Sequence, residues 1–167
     1  MGYVEIREQI KVILGSVTGV SDTNLKVGVV HDYMRWSDDW GMFLDHFRDP
    51  GGVINGCMFN RINTPERRLT VPTPNLRSLI WRIIYIRGLN DEEATERKFQ
   101  DVVEGICTKF RTERNINSTC DTIEPEFGPM AGLYGVQIDT IENRIIGSVL
   151  CHWAEMRLCT QYREGRV

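Results

Sequence analysis

The chain has 167 residues, with 20 Lys and Arg against 23 Asp and Glu, for a net charge of −3. That length fits one domain, and a 41% hydrophobic content can build a core without disulfide or metal staples. The mild negative charge argues against a protein that grips nucleic acid by counterion release, and no run approaches the roughly 18 apolar residues of a membrane span.

Over residues 2–20, Ile6, Ile10, Ile13, Leu14 and Val17 recur at helical spacing, and predict one buried face with Glu5, Gln9 and Lys11 in water. "VHDYMRWSDDW", residues 30–40, then gathers a histidine, three aspartates and three large aromatics. Trp36, Trp40, Phe43, Leu44 and Phe47 continue it at helical spacing. They predict a short amphipathic helix over roughly 37–48, with Ser37 as N-cap and Asp38 and Asp39 in its first turn. "DPGG" closes that segment.

"GGVINGCMFN" reads as a strand with Val53, Cys57 and Phe59 on one face. Around 61–76, three prolines and no periodicity predict a protruding loop or arm that carries Arg67 and Arg68. In "LRSLIWRIIYIRGLN", Leu79, Trp81, Ile83 and Tyr85 alternate with Ile80, Arg82, Ile84 and Ile86. Both faces are largely apolar, so this strand is expected to be covered on both sides, by helices or by another subunit.

"NDEEATERKFQDVVEGICTKFRTERN" predicts a long helix. Asn90 and Glu93 have capping-box spacing. Phe99, Val102, Val103, Ile106 and Phe110 form its stripe, and Lys109, Arg111 and Arg114 sit where the helix dipole favours cations. Past a turn-rich stretch, "LYGVQIDTIE" alternates Tyr134, Val136 and Ile138 as a strand. "GSVLCHWAEMRLCTQYRE" admits two readings. A helix would align Val149, Leu150, Trp153 and Met156. A strand would place His152, Ala154, Met156, Leu158 and Thr160 on one face and Cys151, Trp153, Glu155, Arg157 and Cys159 on the other. Thr, Cys, Trp and Tyr without a preceding cap favour the strand. The expectation is a single α+β domain, with helices flanking a mostly antiparallel central sheet of about four strands.

Chemistry is harder to find. The five cysteines, Cys57, Cys107, Cys120, Cys151 and Cys159, are odd in number and the opening residues carry no apolar leader, so free thiols in a reducing cytoplasm are expected. Neither they nor His31, His46 and His152 have zinc-ligand spacing. No nucleophile elbow or phosphate-cradling loop is present. Asp38 and Asp39 read as capping residues and Asp45 projects elsewhere, so no two-metal centre is expected. The prediction is no catalytic, cofactor or metal residue. One alternative stays open: a small cytoplasmic enzyme or ligand-binding domain that pairs Cys57 or Cys151 with His31. That alternative needs a thiol of depressed pKa among Cys57, Cys151 and Cys159. The aromatic residues near 36–47 have two readings, the domain's own core or anchors for a partner, since Trp and Tyr are common hot spots. The candidate partner interface is Trp36, Trp40 and Phe43, with Arg67 and Arg68 on the arm.

The segments "WRIIYIRGLNDEEATERKFQDVVEGICTKF" and "GVQIDTIENRIIGSVLCHWAEMRLCTQY", with the early "VHDYMRW", resemble the tail-terminator (tail-completion) proteins of tailed bacteriophages. The likeness covers roughly residues 1–165 in element order. It implies a homo-oligomeric ring, a hexamer in that family, that caps the tail tube, ends its polymerisation and joins the tail to the neck. Implied partners are further copies of the chain, the tail tube protein and a neck or head–tail connector protein, with the sheath protein as a further candidate. The genome would pass through the lumen without specific binding, and an acidic lumen would let DNA slide. The implied location is the virion tail or neck, after assembly in the host cytoplasm, with no membrane contact. A different neck or head-completion adaptor is the nearest alternative.

Overall fold

Strand β4 (Leu76–Gly88) is the centre of the molecule in a computed structural model that describes residues 2–68 and 75–164. It pairs antiparallel with β2 (Asn55–Asn63) on one side and with β6 (Val149–Arg163) on the other. Beyond β6 lies β5 (Gln137–Ile146), antiparallel and at the sheet edge. The opposite edge is β1 (Val29–His31), which runs parallel to β2. The two-residue β3 (Glu66–Arg67) pairs antiparallel with the start of β4. Three helices complete an α+β domain: α1 (Tyr3–Gly15), α2 (Trp40–Asp45) and α3 (Thr95–Thr112).

The sheet is therefore mixed and six-stranded, where the sequence suggested mostly antiparallel pairing and about four strands. The four long strands are the expected ones. The additions are a three-residue and a two-residue piece, too short for alternation to register. Residues 149–163 form a strand with the expected faces, so the helical reading of that segment falls.

Four boundaries also moved: β5 starts at Gln137, so Tyr134 and Val136 precede the strand that was expected to include them. The short helix starts at Trp40, and its cap is Asp39, whose carboxylate accepts the N–H groups of Gly41 at 2.6 Å and Met42 at 3.1 Å. Ser37 instead accepts the Asp39 N–H at 3.2 Å. The long helix starts at Thr95, not at an Asn90 cap: residues Asp91–Glu93 make a 3₁₀ turn, and Ala94 sits in the left-handed region with φ of 50°. Val53 precedes its strand and is exposed. Of the expected arm at 61–76, residues 69–74 lie outside the described residues.

The two sheet faces are covered unequally. On one, the stripes of α1 (Ile6, Ile10, Ile13, Leu14) and α3 (Phe99, Val102, Val103, Ile106, Phe110) bury Leu79, Trp81, Ile83 and Tyr85 of β4, together with Ala154, Met156 and Leu158 of β6. Burial of each Leu, Ile, Val, Phe or Met among them stabilises the fold by about 1.5–3 kcal/mol relative to exposure. Gly105 lets α3 close onto the chain after α1, because a Cβ there would lie 2.0 Å from the Thr18 carbonyl oxygen. Among the described residues, the other face is covered only by α2, a helix of six residues, and by loops. Phe43, Leu44 and Phe47 pack on Met58, Ile84 and Ile86 at one end, and Met130 covers Ile80 and Cys159 at the other.

Candidate functional site

Within "VHDYMRW", His31, Asp32, Tyr33 and Arg35 are each engaged locally. His31 lies in β1, where its Nε2 is 2.7 Å from the His46 carbonyl oxygen and its Nδ1 takes an N–H from Arg35 at 3.3 Å. Burial lowers the His31 pKa despite the carbonyl contact. Asp32 is held by Lys11 at 3.3 Å and by Arg7 at 3.7 Å. Its pKa is lowered: hydrogen bonding and those cations outweigh the opposing desolvation. The Arg35 guanidinium lies over the Tyr33 ring, 4.7 Å from its centroid. The stretch is a folded corner between β1 and α2.

The aromatic residues that follow divide. Trp36 is 73% exposed and Trp40 54% exposed, so the core reading fails for both. Phe43 is buried, edge-on to Trp40 at 5.9 Å. As a surface anchor Phe43 is corrected: it is the floor on which Trp40 stands. The β5–β6 turn fixes Trp40 from the other side. That turn is Gly147–Ser148, two residues between the paired Ile146 and Val149, and Gly147 has φ of 62°. A Cβ on Gly147 would come within 2.9 Å of the Trp40 Cβ. Glycine is thus required both by the turn and by the Trp40 Cβ packed on it.

Trp36 and Trp40 wall a groove of 320 Å³ between the α2 segment and the thinly covered sheet face. Met58, Ile84, Arg82, Trp153 and Glu155 line the sheet side, and Arg144 crosses it with its guanidinium 4.3 Å from the Trp153 ring centroid. Arg144 also pairs with Glu142. Arg82 reaches Glu155 only at 3.8 Å.

Arg67 and Arg68 are exposed but elsewhere. Arg67 is in register with Leu76, eight residues along β4 from Ile84, a distance of about 26 Å at the usual strand rise. The predicted interface residues therefore do not form one patch.

All five thiols are buried. Desolvation raises the pKa of Cys57, pushes Cys151 up to about 11 and brings Cys120 and Cys159 to about 12. The depressed pKa that the Cys–His alternative needs is not found at Cys57, Cys151 or Cys159. Among the described residues no group of three or more His, Cys, Asp or Glu is placed to hold a metal, and no helix is long and apolar enough to cross a membrane.

Two features escaped the sequence reading. One is the edge strand β5, with Ile138 and Ile141 each 40% exposed and Ile145 75% exposed. The alternation was visible, but not that no strand covers β5 among the described residues. The other is a polar chain built on the buried His152 and Thr95. His152 Nδ1 is 2.7 Å from Asn143 Oδ1, and its Nε2 is 3.1 Å from Thr95 Oγ1. That hydroxyl also accepts the Asn90 N–H at 2.8 Å. This chain pins β5 and β6 to the start of α3. Its two halves, Asn90–Thr95 and Asn143–His152, lie far apart in sequence, so no local motif announces it.

No protein-family model matches this chain. No curated protein matches it either.

Proposed function

We propose that this chain is a structural virion protein that assembles into a ring, hexameric as in the tail-terminator proteins it resembles. The ring caps the tail tube of a tailed bacteriophage and joins it to the neck. The observation that carries the reading is the pair of unsatisfied surfaces on one monomer: two exposed tryptophans and a ten-residue edge strand bearing three exposed isoleucines. Exposed aromatic anchors are typical of protein interfaces, and an open strand edge is a template for pairing with another chain. The buried, unactivated thiols remove the main support for the Cys–His alternative. A neck or head-completion adaptor would use the same surfaces and differ in its partner.

The test is native mass across a wide concentration range, with images of any assembly. A six-fold ring with a central hole is expected. Trp36→Ala and Trp40→Ala, both on the surface, should retain the wild-type melting curve and lose assembly, alone or on tubes of co-expressed tail tube protein. A chain that stays monomeric at high concentration and leaves such tubes uncapped overturns the reading.

A further inference from the structure

We propose that the groove between Trp36, Trp40 and the sheet receives a carboxylate-bearing segment of a partner protein: a glutamate or aspartate flanked by apolar side chains. The inference deepens the reading above, and rests on it only for the premise that this surface meets a protein.

Two residues that line the groove, Trp153 and Arg82, each carry a buried donor without an acceptor, as the Nε atoms of Arg7, Arg77 and Arg87 do elsewhere. Trp153 is 8% exposed and its Nε1 has no hydrogen-bond partner. The Nε of Arg82 has none either. An unpaired buried N–H destabilises a protein and is uncommon in native structures. Both unpaired atoms are donors, so the missing group is an acceptor. Charge points the same way. Three guanidiniums, of Arg35, Arg82 and Arg144, line the groove against the single carboxylate of Glu155. Adding Glu142, which pairs with Arg144, still leaves one positive charge in excess on a chain whose net charge is −3. Arginine offers a planar fork that matches a carboxylate.

The walls set the flanking chemistry. Trp36 and Trp40 present rings to one side and Met58 lies beneath, an adaptable thioether against which varied apolar side chains pack. At 320 Å³ the cavity stands at the small end of the roughly 300–1,000 Å³ range of ligand sites. That suits a few side chains of a peptide.

The chain has four tryptophans, Trp36, Trp40, Trp81 and Trp153, hence four indole N–H signals in a nitrogen-15 correlation spectrum. Trp81 is an internal control, buried on the helix-covered side with its Nε1 donating to Thr160 Oγ1 at 3.0 Å. The probe is the blocked tripeptide acetyl-Leu-Glu-Phe-amide, with its glutamine analogue for comparison. The expected result is a saturable downfield shift of the Trp153 signal, with movement of Trp36 and Trp40 and none of Trp81. The glutamine analogue should bind about tenfold more weakly, since charged acceptors make the stronger bond. Arg82→Met, which keeps the aliphatic stem, should lose about the same factor for the glutamate peptide alone. Trp36→Ala, a surface change, should weaken both peptides. No saturable shift by about 10 mM peptide, equal binding of the two peptides, or a response to oligothymidylate in place of peptide overturns the proposal. Rings that form while the groove ignores the peptide sink this inference alone. Peptide binding by a chain that never assembles sinks only the ring.

Discussion

At the scale of single residues, two positions carry measurable consequences. Ala94 holds a left-handed conformation, φ 50° and ψ 45°, just before α3. That conformation costs an L-residue about 1–2 kcal/mol. Glycine removes the cost but adds about 0.4–1 kcal/mol of unfolded-state freedom. Because Ala94 is exposed, no packing is lost. Ala94→Gly should therefore stabilise the protein by about 0.5–1 kcal/mol, read as a higher urea midpoint at unchanged slope; a lower midpoint refutes the strain argument. His152 governs acid sensitivity. Burial lowers its pKa, with the Arg87 cation adding and Glu96 opposing. The folded pKa thus lies below the unfolded value of about 6.5. Above that value both states are neutral and the group leaves stability unchanged. As pH falls below it, the unfolded chain takes up a proton that the folded chain resists, and stability drops until the folded pKa is passed. His31 shifts in the same direction, also chiefly through burial. Urea midpoints should be level from about pH 7.5 to 6.5 and decline towards about pH 5, with a shallower decline in His152→Gln. A level curve throughout contradicts the assignment.

At the scale of elements, what the sequence reveals depends on how locally the information is stored. The stripe of α3 and the two-faced run of β4 are periodic over many residues, and both appear where the pattern puts them. The caps moved because short-range chemistry competes: Asp39 and Ser37 both offer oxygens to the start of α2, and the carboxylate wins two N–H groups while the hydroxyl takes one. At α3, Thr95 bonds Asn90 and His152 together, so a contact from β6 overrides the local Asn90–Glu93 pattern. β1 depends on β2, whose paired residues lie 27 positions further along the chain, and three residues cannot display a period. The site was half legible for the same reason. Trp36 and Trp40 stand out as too much aromatic surface for a short helix, while Arg82, Arg144 and Trp153 join them only once β4, β5 and β6 are laid side by side.

At the scale of the whole molecule, the sheet leaves two kinds of apolar surface open, and the proposed assembly rests on them. One face is closed by α1 and α3, and the other by six helical residues and loops. On β5, Ile138 and Ile141 lie opposite Met156 and Ala154 of the helix-side core, yet each remains 40% exposed. Ile145 and its partner Leu150 are exposed at 75% and 41%. The apolar row thus runs off the covered part of the sheet along an edge whose outward backbone groups have no strand partner among the described residues. A monomer gains nothing from that row, whereas a neighbouring copy laid along it would bury the isoleucines and complete the backbone pairing. Contact between two different surfaces of successive copies closes into a ring when the rotation permits. Charged residues on an edge are the usual block to such pairing. Ile141→Lys with Ile145→Lys should leave the melting curve within about 0.5 kcal/mol of wild type, as expected for exposed positions, while reducing native mass to that of a single chain. If the double variant assembles as the wild type does, β5 is not the contact, and the proposed ring would have to close through the Trp36–Trp40 surface alone.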